Sequence, residues 1–316
     1  MNFSSLIGNE KIKNMLIKNI LANNLVHSYM FTGPEGIGKS LFARAFAQML
    51  MCENNKDFKE NIHYSGNCGK CKSCIEFNGL NNPDFIQIDS DGKIIKIEQI
   101  RNFQEKVIEK PIISNKKVYI INDADFMTKE AQNCLLKTLE EPPEFVVIIL
   151  IVANESKILP TIKSRCMKIG FSKIDNDTFK QYLQQNYETN NITENILSMC
   201  DGSIGKWLQI KDDLEDYFKV EEIINNINEY DKIEVLKNSN ILYENKESIW
   251  GFLEYINIIL YNNFLKTRQK KYINCVEIVE KTRANLLLNS NYDMSIDNLL
   301  MKIWEEINEE YSWGKI

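Results

Sequence analysis

The sequence predicts an α/β domain built on a parallel sheet, followed by a mostly helical remainder, and three observations carry that prediction. The stretch Gly33 to Ser40 reads GPEGIGKS, the phosphate-binding pattern, and lies between a strand-like run, Tyr29 to Phe31, and a helix-forming run, Leu41 to Met51. Apolar β-favouring runs alternate with helical ones through the first half of the chain. All six prolines lie at or before Pro160, and beyond Gly205 the only glycines are Gly251 and Gly314. Turn punctuation is therefore confined to the first half, and the second half reads as nearly uninterrupted helix.

In the loop, Gly33, Gly36 and Gly38 let the backbone turn tightly, so that successive N–H groups point at phosphate oxygens. Pro34, Glu35 and Ile37 complete the cradle, Lys39 reaches for the terminal phosphates, and Ser40 offers its hydroxyl to magnesium. Further strands are expected at Asp84 to Ile88, Val118 to Ile121, Phe145 to Val152 and Cys166 to Phe171. Between them, helices are expected at Ile97 to Glu109 and Lys129 to Glu141, the latter capped by Thr128 and stopped by Pro142 and Pro143. Such alternation after a phosphate loop implies a parallel sheet with the nucleotide at the carboxyl ends of its strands. In the second half, Leu253, Ile256, Leu260 and Phe264 fall at helical spacing and read as a buried face between helices.

A chain of 316 residues is long enough for two or three domains. Its 38 basic against 44 acidic residues argue against gripping nucleic acid by charge alone. Met1 to Gly8 lacks the features of a secretory signal, and the most apolar stretches, Phe145 to Ala153 and Phe252 to Leu265, are too short or too interrupted to span a bilayer. A cytoplasmic protein without membrane contact is expected.

Cysteine supplies a separate signal. Cys68, Cys71 and Cys74 stand at two-residue gaps, a spacing that aims thiolates at one tetrahedral metal. Cys52, at the end of the phosphate-loop helix, is the favoured fourth ligand and His63 the competitor. Four such ligands suit structural zinc, which would tie an inserted loop of about residues 52–78 to the nucleotide domain. Cys134, Cys166, Cys200 and Cys275 sit singly in apolar surroundings and read as core.

Hydrolysis needs a carboxylate at the end of the third strand to hold magnesium, usually followed by a second that orients water. Here the strand runs Val118 to Ile121 and continues Asn122-Asp123-Ala124-Asp125. In one register the metal position falls on neutral Asn122, which holds magnesium weakly, and Asp123 takes the water-orienting place. In the other, Asp123 is the metal ligand and Ala124 stands where the catalytic acid belongs. Either register leaves the site one group short, so nucleotide binding is expected with slow or absent hydrolysis.

These residues resemble the clamp-loader subunits of the AAA+ superfamily, most closely those of the delta-prime type from bacterial DNA polymerase III. The motifs that carry the resemblance are Ile7-Gly8, the run Val26 to Gly33 into the phosphate loop, the cysteine insert, Ala131 to Pro143 (AQNCLLKTLEEPP), and Leu159 to Cys166 (LPTIKSRC). The resemblance implies a RecA-like AAA+ sheet domain over residues 1–171 with a zinc insert, a small helical lid over 172–212, and an all-helical collar over 213–316. It further implies a hetero-oligomeric ring with delta and gamma/tau subunits that places a sliding clamp on primed DNA. Arg165, in the Ser164-Arg165-Cys166 block, corresponds to an arginine supplied in trans to a neighbour's nucleotide site. Asn154 aligns with the phosphate sensor of the fourth strand.

Departures from the motor-subunit pattern favour a non-hydrolysing stator with ATP or ADP retained. An acidic pair is replaced at Asn122 and Asp123, and the lid reads Gly202-Ser203-Ile204-Gly205-Lys206, with Gly205 at the place of a sensor arginine. The intact loop is the contrary sign and keeps an active gamma/tau-like motor as an alternative. Restoring an Asp at 122 and an Arg at 205 is expected to return some turnover. A free-standing DNA-binding module is a further alternative, supported by the run Lys266 to Lys271, which otherwise reads as a solvated helix face.

Overall fold

The computed structural model describes residues 3–54, 67–92, 94–187, 192–244, 246–288 and 291–308. Contacts divide the chain into two compact units, one of Met1–Thr178 with Ser203–Gly205, the other of Phe179–Gly202 with Lys206–Ile316.

In the first unit, α1 (Glu10–Leu21) precedes β1 (Ser28–Thr32), and α2 (Lys39–Met51) follows the glycine loop. Then come α3 (Lys72–Asn78), β2 (Phe85–Ile88), α4 (Ile97–Val107), β3 (Lys117–Ile121), α5 (Lys129–Glu140), β4 (Val146–Val152), α6 (Pro160–Lys163) and β5 (Met167–Gly170). All strand pairs are parallel and the sheet order is β2-β3-β4-β1-β5.

Every residue of β1, β3 and β4 is buried, which is why these strands read as continuous apolar runs rather than alternating ones. The period of two survives in what each side chain touches. Val147, Ile149 and Ile151 of β4 join Phe31, Phe42, Phe46 and Leu16 in a core on one face of the sheet. Ile148, Leu150 and Val152 join Phe103, Tyr119, Leu135 and Ile162 on the other. Because β1 and β4 are in register from Ser28–Ile148 to Thr32–Val152, the segments that leave their carboxyl ends emerge side by side.

The predicted α5 boundaries hold closely: Thr128 Oγ1 accepts the Ala131 N–H at 3.2 Å, and the helix ends before Pro142. The helix expected to reach Glu109 stops at Val107. There the buried Lys117 ammonium donates to the Lys106 carbonyl at 2.8 Å, an acceptor that a further turn would have used, and to the Glu109 carbonyl at 3.4 Å.

The second unit is helical: α7 (Asn176–Tyr187), α8 (Glu194–Cys200), α9 (Ile204–Ile210), α10 (Leu214–Asn225), α11 (Lys232–Asn238), α12 (Asn240–Glu244), α13 (Ile249–Thr267), α14 (Lys270–Leu287) and α15 (Tyr292–Asn308). The first residues of α7 and α9 group with the first unit. Leu253, Ile256 and Leu260 of α13 are fully buried as their spacing predicts, whereas Phe264 is half-buried near the helix end. Cys200 and Cys275 lie in the core, while Cys134 and Cys166 pack only partly buried against it. Among the described residues no helix is long and apolar enough to cross a membrane.

Candidate functional site

The loop between β1 and α2 is built from left-handed glycines: φ is 144° at Gly33, 75° at Gly36 and 91° at Gly38. At Gly33 the requirement is also steric, since a Cβ there would stand 2.6 Å from the Phe171 carbonyl oxygen. Gly38 is the N-cap of α2, so the loop runs directly into a helix N-terminus, and buried Ile37 pins its middle to the core. Pro34 and Glu35 are exposed at the tip, while Ser40 is half-buried in the first turn. Lys39 is buried, and its ammonium donates to the carbonyls of Gly33 at 2.7 Å and Pro34 at 2.6 Å. Burial pulls its pKa down, and the carboxylates of Asp125, Glu35 and Asp123 act against that shift.

The rim beyond β3 is organised differently. Asn122 Nδ2 donates to Asp89 Oδ1 at 2.6 Å, across to the end of β2, and Asn122 Oδ1 is buried with no hydrogen-bond partner among the described residues. Asp123 is exposed in a left-handed conformation, φ 48°. Its pKa is raised first by partial burial and then by Asp125, Glu35 and Asp89, with Lys39 opposing. Asp125 and Asp123 are the carboxylates after β3 that act electrostatically on the loop lysine. Asp125, which sequence reasoning did not single out, is buried and accepts the Ala153 N–H at 3.2 Å and the Asn154 N–H at 3.1 Å. It binds the segment after β4 to the segment after β3. The Asn154 side-chain oxygen accepts from Ser156 N at 3.0 Å and Ser156 Oγ at 2.6 Å, and the residue is exposed.

Arg165 stands apart from this cradle, between α6 and β5, with its side chain one-third exposed. Its guanidinium meets Glu140 Oε1 at 2.5 Å and donates to the Thr161 carbonyl at 2.9 Å. Both partners lie in the sequence blocks that drew notice to the arginine, but only the fold brings the end of α5 against it.

The four cysteines come together. Their Sγ atoms all lie within 4.8 Å of one another, as four ligands around one tetrahedral ion require, and all are free thiols. Cys52 closes α2, Cys71 caps α3, and Cys74 sits one turn into α3. Backbone N–H groups turn toward the sulfurs: Cys68 N to Cys52 Sγ at 3.4 Å, Cys71 N to Cys68 Sγ at 3.3 Å, and Cys74 N to Cys71 Sγ at 3.4 Å. Such donors stabilise thiolates around a metal. The Cys74 thiol beside Cys52 holds the Cys52 ionisation down at about 5, and the same contact drives that of Cys74 upward. The donor set fits a bound divalent ion. His63, the competing ligand, lies outside the described residues. A buried network that the sequence did not reveal ties this insert to the sheet. Ser73 Oγ pairs with Ser114 Oγ at 2.8 Å, and Asp84 accepts the N–H groups of Ile112, Ile113 and Ser114 at 2.7 to 2.8 Å.

A parallel sheet in this order, with a glycine loop leaving its β1 and an acid-bearing segment leaving β3, defines a phosphate-loop nucleotide-binding domain of the AAA+ class. The family model described as DNA polymerase III, delta subunit, matches residues 8–175, more than half of the 316-residue chain. The chain belongs to this family. It is 35% identical over 144 residues to the DNA polymerase III subunit delta' of Pseudomonas aeruginosa, covering 45% of this chain and 42% of that protein. It is 34% identical over 181 residues to the subunit tau/gamma of Haemophilus influenzae, covering 57% of this chain and 25% of that protein. The chain thus spans between a quarter and a half of the length of these curated relatives. Among solved structures, a DNA polymerase III gamma subunit-related protein from Thermotoga maritima aligns over 94% of this chain and 98% of its own, at 17% identity and a TM-score of 0.44. The family membership bears out the resemblance to AAA+ clamp-loader subunits.

Proposed function

We propose that this chain is a delta-prime-like stator of a DNA polymerase III clamp loader, one that supports ATP-driven loading of a sliding clamp onto primed DNA and turns over little or no ATP itself. The observation that carries this reading is the contrast between an intact cradle, with Lys39 buried against Gly33 and Pro34, and a rim that presents neutral Asn122 bonded to Asp89. In this reading the loop retains ATP or ADP through Gly33 to Ser40, with Asn154 beside it and magnesium held weakly. Cys52, Cys68, Cys71 and Cys74 hold zinc. Residues 1–171, 172–212 and 213–316 act as nucleotide domain, lid and collar within a ring that includes delta and gamma/tau subunits.

Arg165 is the residue assigned a chemical role, in a neighbour's site: a guanidinium there stabilises charge developing on the transferred phosphoryl group. The test is Arg165→Ala in a reconstituted loader. Turnover at the adjacent site is expected to fall by about tenfold or more, with assembly retained; unchanged turnover would remove Arg165 from the mechanism. The intact loop and the tau/gamma relatives favour one rival, a motor subunit of the same loader, which rapid ATP turnover by the purified chain without partners would support.

A further inference from the structure

Gly205 is the second residue of α9, yet it packs with the first unit, against the phosphate loop. Its N–H donates to the Gly36 carbonyl at 2.9 Å. The approach is backbone on backbone: a Cβ on Gly205 would stand 2.7 Å from Gly36 Cα, 2.9 Å from Gly36 O and 3.2 Å from Gly36 C. These are not the ends of flexible side chains that swing aside. They are the main chain of the loop at its left-handed turn, φ 75°, so relief has to come from moving the loop or the segment 203–205.

The contact has a second effect. A peptide unit is planar and trans, so turning the Gly36 carbonyl toward Gly205 aims the Ile37 N–H the opposite way. Lys39 engages the carbonyls of Gly33 and Pro34 in the same loop. Gly205 thereby takes part in fixing the cradle's shape, and by the same closeness it bars a side chain of any kind from position 205.

We propose that Gly205 is a specificity-determining residue of the nucleotide site: it braces the Gly36 peptide with bare backbone and excludes a cationic side chain from this position. Position 205 then lends no charge to the phosphates, which are read by the loop alone. This rests on the nucleotide-binding reading given above. It also reverses one sequence-based expectation. An arginine restored at 205 does not add a sensor to an otherwise ready site, because its Cβ displaces the loop that holds the ligand.

The experiment uses the full chain with its metal, and fluorescent analogues of ADP and of a non-hydrolysable ATP, with magnesium present. The unaltered protein is expected to bind the two within about threefold of each other; a triphosphate preference of about tenfold or more overturns the specificity. Gly205→Ala and Gly205→Arg are expected to weaken both ligands by roughly tenfold or more, the scale of strain in a displaced loop. Tighter triphosphate binding by Gly205→Arg, or unchanged binding by Gly205→Ala, overturns the brace. Amide hydrogen exchange at residues 33–38 is read in parallel without ligand. Faster exchange in Gly205→Ala at an otherwise unchanged pattern supports the brace, and identical exchange overturns it. If the unaltered protein binds neither analogue, the nucleotide-binding reading and the specificity fall together, and the exchange data alone decide whether Gly205 braces the loop.

Discussion

The phosphate loop after β1 and the rim after β3 leave the same edge of one sheet, separated only by the strand β4. The loop keeps what its chemistry demands: left-handed glycines, a buried lysine and a helix N-terminus directly behind it. The rim does not. Its first side chain donates to Asp89, and Asp123 is exposed with its ionisation resisted first by partial burial and then by neighbouring carboxylates. Holding a polyphosphate and cutting it are thus separable demands. In the proposed stator the first is met by backbone geometry supported from the core, and the second depends on particular carboxylates.

The largest effect expected on the loop side comes from Lys39→Ala. It removes a buried charge that bonds Gly33 and Pro34 and would meet the phosphates, so nucleotide affinity in a fluorescence titration should fall about a hundredfold or more. Retained affinity would mean that the cradle is not the binding element, and the contrast with the rim would lose its meaning.

Metal removal acts on the same side by a longer route. α2 carries Lys39 at its start and ends at Cys52, one of the four clustered thiols, so a bound ion anchors the far end of the phosphate-loop helix. Elemental analysis should find about one zinc per chain, and chelation should lower the melting temperature and weaken nucleotide binding together. A protein free of zinc, with four reactive thiols and an unaltered melting temperature, would refute the site.

The smallest effect sharpens the rim. Asn122→Asp puts a carboxylate against Asp89, where an amide now bridges at 2.6 Å, and the repulsion should cost ~1–2 kcal/mol without magnesium, recovered as magnesium is added. A denaturant titration with and without the ion measures it. A loss that magnesium does not offset would indicate that the two side chains do not converge on one ion.

What could be read in advance follows the same division. GPEGIGKS and the Cys68-Cys71-Cys74 spacing were legible because their meaning is local: residues a few positions apart share one turn, whatever the rest of the chain does. The buried strands were legible because both faces of the sheet are covered, which turns them into unbroken apolar runs. Asp125 bonded to Ala153 and Asn154, Glu140 against Arg165, Asp84 capping residues 112–114, and Gly205 against Gly36 were not. Each joins segments far apart in sequence, and a lone acid or glycine carries no mark of the partner that topology will bring to it. Gly205 is the sharpest instance. Its residue type read as a missing arginine, and the fold adds that a Cβ there would stand 2.7 Å from Gly36 Cα.

The proposed stator binds a nucleotide that it does not cut. The most direct measurement is single-turnover hydrolysis of magnesium-ATP by the purified full chain, at concentrations where binding is saturated. Occupancy is expected with a rate at or below about 10⁻³ per second, the scale of a nucleotidase without its completing groups. Turnover of about one per second or faster in the absence of any partner would contradict it.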